Sequence, residues 1–222
     1  MALATTDYLP LAEKFLQHWS DAENALGKAL VLEDGTTQDM LQSLKDALSS
    51  AQGTITTSEN DRQGAIGQRD SARAEALPIA RQVRKGILGV VPSSDEARQL
   101  PATLPSLTED VQKQLVALRD IENVWTRVNA LPAGSYPSLT LPFTVLVDLG
   151  GTEDLVTLTR YSAAVQALSA AATTLKTAEQ ALNQAKQNRK KSVEDLQKVF
   201  LAYRKRIRGT FPRTSALYRS LP

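Results

Sequence analysis

Two decapeptides in this chain, VRKGILGVVP at residues 83–92 and YRKRIRGTFP at residues 203–212, place Arg-Lys, Ile, Gly and Pro at the same positions, 120 residues apart. The 53 residues that end with each decapeptide align without a gap and are identical at 14 positions. Basic side chains favour the last helical turn, and Gly followed by Pro ends a helix. The repeat predicts two long helices that end at the same sequence signal. It also predicts that Gly89 and Gly209 adopt the left-handed conformation just after the end of each helix.

Apolar residues recur at alternating steps of three and four along the second long segment, which predicts a helix from Thr152 to Arg208. The middle of this segment is rich in alanine and charge. The first long segment is less regular because Gly53, Gly64, Gly67 and Pro78 interrupt it, so we expect a kink or a short break near one of them.

A shorter amphipathic segment precedes each long one, and each begins with Leu-Pro. The predicted fold is therefore all-α: an elongated four-helix bundle built by internal duplication, with an extended, β-like insert in the second copy. The first repeat is predicted at 1–101, with helices at 9–31 and 37–88. The second is predicted at 102–222, with a helix at 104–130, the insert at 131–150, a helix at 152–208 and a tail at 209–222.

The insert alternates apolar and polar residues from Leu139 to Leu149, which is typical of a strand. The sequence offers no convincing second strand. Two interpretations remain open: the segment packs on its own helices, or it pairs with another chain during assembly. The candidate assembly residues are Leu141, Phe143, Val145 and Val147.

The net charge of +2 conceals a basic stretch, because residues 186–219 carry eleven basic and only two acidic residues. Such a stripe could contact phosphates, with Tyr203 or Phe211 available for stacking. Basic residues also favour helix C-termini, and the acidic remainder of the chain offers protein partners. The candidate residues are Arg189, Lys190, Lys191, Arg204, Lys205, Arg206 and Arg208.

Little in the sequence points to catalysis. The chain has no cysteine and a single histidine, His18, and it lacks a nucleophile elbow and a phosphate-binding loop, so we expect no metal and no cofactor. The start shows no signal-peptide pattern, and nowhere do 18 apolar residues run together. We expect no membrane span, and a cytoplasmic protein or one in an assembly released without a cleaved signal peptide.

These patterns predict a structural or assembly protein without enzymatic activity. It would self-associate as an oligomer or filament, or dock another protein, through exposed long-helix surface and the insert. The alternative is a nucleic-acid-binding protein that uses its basic C-terminal third.

Overall fold

The computed structural model describes residues 8–106, 108–148 and 153–222. The chain is mostly helical and contains one small antiparallel sheet. The elements in chain order are α1 (Tyr8–Leu26), α2 (Gln38–Val90), α3 (Asp95–Arg98), α4 (Val111–Asn129), β1 (Val145–Asp148), β2 (Glu153–Val156), α5 (Leu158–Thr210) and α6 (Ala216–Arg219). No helix in the described part of the chain is apolar over a length that could cross a bilayer.

The chain divides into two compact units, and the first of them is discontinuous in sequence. Unit 1 consists of residues 1–60 and 179–222, and unit 2 of residues 61–178. The long helices α2 and α5 each contribute one part to unit 1 and the other part to unit 2. The units therefore do not coincide with the halves 1–101 and 102–222.

Unit 1 has an aromatic core formed by α1, the beginning of α2 and the end of α5. The ring of Phe15 stacks on that of Phe200 with centroids 4.2 Å apart, and Trp19 stacks on Tyr203 at 4.6 Å. All four side chains are buried. Aromatic pairs of this kind contribute beyond the area that they bury, so they help to hold α1 against α5.

Unit 2 has a core of its own, formed by the end of α2, α4, the two strands and the beginning of α5. Trp125 lies at its centre, with ring centroids 5.8 Å from Phe143 and 5.7 Å from Tyr161. The hydroxyl of Tyr161 donates to the carbonyl of Leu118 on α4, 2.9 Å away. Burial away from solvent raises the pKa of the Tyr161 phenol, and the negative charge of Glu122 adds a smaller increase.

The long helices differ from expectation at their ends and in their continuity. Neither Gly89 nor Gly209 adopts the left-handed conformation; both lie within their helices, which end one residue later at Val90 and Thr210. The prediction was wrong because the i to i−4 hydrogen bonds continue past each glycine, from Val91 N to Ile87 O and from Phe211 N to Ile207 O. Likewise, α2 is continuous through its glycines and through Pro78.

The short helices are shorter than predicted because local caps end or begin them. Helix α1 ends at Leu26 and not at residue 31, since Gly27 takes a φ of 66° and its N–H bonds back to Glu23 O. Helix α4 begins at Val111 and not at residue 104. The Asp110 carboxylate caps it by accepting from Gln112 N at 2.8 Å.

The strands form a hairpin in unit 2, in the register Val145↔Val156, Leu146↔Leu155, Val147↔Asp154 and Asp148↔Glu153. The long helix predicted from Thr152 begins instead at Leu158, after the N-cap Thr157, whose Oγ1 accepts from Arg160 N. Residues 153–156 are a strand because they satisfy the backbone groups of β1 and bury Val156 completely. The expectation of no second strand was wrong.

Candidate interaction surfaces

The insert packs on its own unit through the face that carries the predicted assembly residues. Phe143, Val145 and Val147 are buried, and Leu141 is half-buried. Helix α2 receives this face at Gly86, where an added Cβ would lie only 2.8 Å from Phe143 Cζ and 3.0 Å from Val145 Cγ1. This apolar face is therefore covered within the chain, as the first of the two interpretations supposed.

Two hydrogen bonds from α4 fix the insert where it enters the core. The indole Nε1 of Trp125 donates to the Phe143 carbonyl at 3.0 Å, and the Phe143 N–H donates to Asn129 Oδ1 at 2.8 Å. One residue of the insert is thus held through both of its backbone groups. Because a buried backbone group without a partner is costly, these two hydrogen bonds stabilise the insert in its position against α4.

The outer face of the hairpin carries a pair of exposed leucines. Leu146 and Leu155 are directly opposite each other in the register, and their exposed fractions are 59% and 60%. Two positions further along the hairpin, Asp148 and Glu153 are also directly opposite each other, and both are exposed. The sequence pattern did not reveal this face, because the apolar residues of the insert that were considered as contacts are those that alternate with Leu146. The one available signal was Leu146 itself, which is an apolar residue among the polar residues of the alternation.

The basic candidates do not form one uniform patch. The Nε of Arg204 donates to Pro222 O at 2.7 Å, and its guanidinium lies 5.3 Å from the centroid of the Phe15 ring. Lys205 Nζ lies 2.9 Å from Glu33 Oε2, and Lys190 Nζ 3.9 Å from Glu194 Oε1. The Lys205 contact lowers the pKa of the Glu33 carboxyl.

Charges of opposite sign therefore meet inside unit 1. Residues 1–60 carry three basic and nine acidic residues, whereas residues 179–222 carry eleven and three. Four candidates have no ion-pair partner within 4 Å among the described residues: Arg189, Lys191, Arg206 and Arg208. Among the seven candidates, only these four are available for phosphates without breaking a contact.

His18 is buried in unit 1 and joins three elements. Its Nδ1 lies 2.7 Å from the hydroxyl of Tyr203 on α5, and its Nε2 lies 2.8 Å from the carbonyl of Leu217 on α6. A carbonyl only accepts, so Nε2 carries the proton and Nδ1 accepts from the phenol. Burial, with the nearby charges of Asp21 and Glu23, raises the pKa of Tyr203 and keeps it a donor. The histidine thus has a structural role.

The described residues contain no group of three His, Asp or Glu side chains placed to hold a metal ion. An open groove of about 650 Å³ runs along α4 and α5 in unit 2, where Arg119 Nη2 donates to Ser169 Oγ at 3.3 Å. The lining of this groove is mostly polar. Its side chains can exchange hydrogen bonds with water or with a partner surface.

No protein-family model, curated protein or solved structure matches this chain. The fold defines it as a mostly helical protein with a short antiparallel hairpin.

Proposed function

We propose that this chain is a structural protein without enzymatic activity that assembles with copies of itself, using the outer face of the hairpin as one contact. The observation that carries this proposal is the pair Leu146 and Leu155, exposed side by side on a two-stranded sheet. Neighbouring exposed apolar side chains gain free energy when a second surface removes them from water. The insert thus serves two roles, because its inner face closes unit 2 while its outer face remains available.

The free energy that the leucine pair can contribute is too small to hold two copies together by itself. Full burial of a leucine contributes about 1.5 to 3 kcal/mol, so two leucines that are already part-buried contribute less than about 4 kcal/mol together. Loss of translational and rotational freedom on association costs about 4 to 15 kcal/mol. A stable assembly therefore requires additional contacts, which the exposed surfaces of α2 and α5 can supply.

Sedimentation velocity over a range of protein concentrations tests the proposal. The double substitution Leu146→Ser with Leu155→Ser should shift the protein toward monomer while leaving helicity unchanged. Val116→Ser is a matched control, because Val116 lies on α4 in the same unit and is 59% exposed. A wild-type protein that remains monomeric at high concentration would exclude self-assembly.

Nucleic-acid binding is the second candidate function. It is favoured by Arg189, Lys191 and Arg208, which are not engaged in ion pairs among the described residues. Fluorescence anisotropy with labelled DNA and RNA tests it. Binding at submicromolar concentration that weakens steeply with salt, and that Arg189→Gln with Lys191→Gln reduces, would support this function over assembly.

An internal duplication is proposed as the origin of the architecture. The helices have 19, 53 and 4 residues, and this series occurs twice along the chain. Buried residues of α2 have buried counterparts in α5 at an offset of 120. These pairs include Leu41 with Tyr161, Leu48 with Leu168, Ile55 with Leu175, Ala65 with Ala185, Val83 with Tyr203 and Ile87 with Ile207.

The hydrogen bonds of the two copies support the same proposal. In unit 1 the indole of Trp19 donates to Leu30 O, and Leu30 N donates to the Glu23 carboxylate, four residues after the tryptophan. Trp125 and Asn129 hold Phe143 in the same way in unit 2.

The C-terminal ends of the two copies also match. Arg84 Nε donates to Pro101 O at 2.9 Å, and Arg204 Nε donates to Pro222 O at 2.7 Å. Two copies that share both a tryptophan contact and an arginine contact are what a duplicated gene segment would produce.

A further inference from the structure

Each long helix is followed by a short segment that returns to its own unit. The first strap comprises residues 91–101 in unit 2, and the second strap comprises residues 211–222 in unit 1. The two straps are built alike. Each contains a four-residue helix with a serine N-cap, ends in Leu-Pro, and has its proline carbonyl bound by an arginine of the preceding long helix.

The straps differ in how deeply they are buried. Four residues of the first strap are buried, and two of them, Val91 and Leu100, belong to the core of unit 2. The second strap is described over its whole length and contains no buried residue. Its Phe211 and Leu221 are only partly buried against the aromatic core of unit 1. Segments with few buried apolar contacts open at a low free-energy cost, so the second strap is the one that can open separately.

Two hydrogen bonds hold the second strap on unit 1. His18 Nε2 donates to Leu217 O at 2.8 Å, and Arg204 Nε donates to Pro222 O at 2.7 Å. The strap lies directly against the imidazole, and His18 is only 5% exposed. Opening of the strap therefore breaks both bonds and brings His18 Nε2 into contact with solvent.

We infer that the second strap is a conformational device that opens while α1 and the end of α5 stay folded, whereas the first strap opens only when unit 2 unfolds. In the closed state the strap occupies two hydrogen-bond donors, His18 Nε2 and the Arg204 guanidinium, which lies 5.3 Å from the centroid of the Phe15 ring. In the open state both donors are released together.

Carbethoxylation of His18 by diethylpyrocarbonate tests the inference in the full chain, because the chain has a single histidine. The absorbance of the modified imidazole gives the rate. Opening of the strap exposes little surface, so the rate should be almost independent of urea below the unfolding transition. A rate that rises steeply with urea from the lowest concentrations would mean that His18 reacts only after global unfolding, and would overturn the inference.

The equivalent arginines of the two straps provide matched variants. Arg204→Gln should accelerate the reaction of His18 at least about tenfold, because it removes a hydrogen bond from a charged donor to the second strap. Arg84→Gln removes the corresponding bond of the first strap and should leave this rate unchanged. An unchanged rate in Arg204→Gln, or equal acceleration in both variants, overturns the inference. Circular dichroism checks folding, and Leu221→Ser replaces Arg204→Gln if that variant loses helicity.

Discussion

At the scale of single residues, Gly86 and Gly89 allow a direct comparison of packing with helix propensity. Both lie in the last turns of α2, and only Gly86 is in contact with the insert. We expect Gly89→Ala to raise the free energy of unfolding by up to about 1 kcal/mol, because alanine favours the helix and meets no neighbouring atom there. Gly86→Ala should instead lower it by about 1 to 3 kcal/mol, since the added methyl group overlaps Phe143.

Urea unfolding of both variants measures the difference. If Gly86→Ala stabilises the protein as much as Gly89→Ala does, the insert does not pack against α2 as described. The double variant Gly86→Ala with Phe143→Leu should recover part of the loss, because the smaller side chain vacates the space that the methyl group requires.

The buried phenols of Tyr161 and Tyr203 predict a loss of stability at alkaline pH. The pKa of each is raised by burial above the ordinary value of 10.0, so both stay protonated in the folded chain while the unfolded chain ionises. Stability is therefore complete below pH 10 and falls above it, by about 1.4 kcal/mol per tyrosine at pH 11. Urea unfolding between pH 8 and pH 11 should show a smaller decline for Tyr161→Phe and Tyr203→Phe than for the wild type. An unchanged decline would mean that these phenols do not account for it.

At the scale of elements, the hydrogen bond between the insert and α4 predicts that Asn→Ala changes the stability of the protein differently at Asn129 and at Asn123. Asn129→Ala removes the acceptor of the Phe143 N–H and should destabilise the protein by about 1 to 2 kcal/mol. Asn123→Ala, on the exposed side of the same helix, should be neutral or slightly stabilising because alanine is the better helix former. Thermal unfolding followed by circular dichroism compares them, and equal effects would argue against a structural role for the Asn129 bond.

The elements themselves were predictable to different degrees. The long helices were foreseen because apolar residues such as Leu168, Leu196 and Tyr203 recur at helical spacing, and both are present in the fold. Strand β2 was not, because four residues that begin with Glu-Asp after two glycines are also typical of a helix start. Only pairing with β1, which depends on tertiary contacts, distinguishes the two. For the same reason the sequence could not show which face of the insert would be covered.

At the scale of the whole molecule, the two compact units are built from both sequence halves, and this arrangement was not predictable from local patterns. The first half supplies Phe15 and Trp19 to unit 1, whereas the second half supplies Phe200 and Tyr203 to the same core. Periodicity shows that a helix has an apolar face but does not show which other segment covers it. The boundary at residue 101, a natural division of the repeat, therefore separates residues that are buried together.

This organisation predicts that the two sequence halves fold only together. A fragment of residues 1–101 keeps α1 but lacks the α5 residues Phe200 and Tyr203, whose burial accounts for about 1.5 to 3 kcal/mol or more per side chain. We expect this fragment to have low helicity and an exposed Trp19 by fluorescence, and to recover both properties when mixed with residues 102–222. A 102–222 fragment with Phe200→Asp should fail to restore the environment of Trp19 while still restoring that of Trp125.

The result also bears on the proposed duplication. Suppose that the 1–101 fragment gains helicity with increasing concentration. Two copies of the first repeat then pair, and each takes the place of the second repeat that the other lacks. The matched buried positions of α2 and α5 would permit this pairing. If the fragment instead unfolds cooperatively as a monomer, the first half has a sufficient core of its own. The packing of α1 against the end of α5 would then not be required for folding, because a core that a half-chain can complete alone needs no residues from the other half.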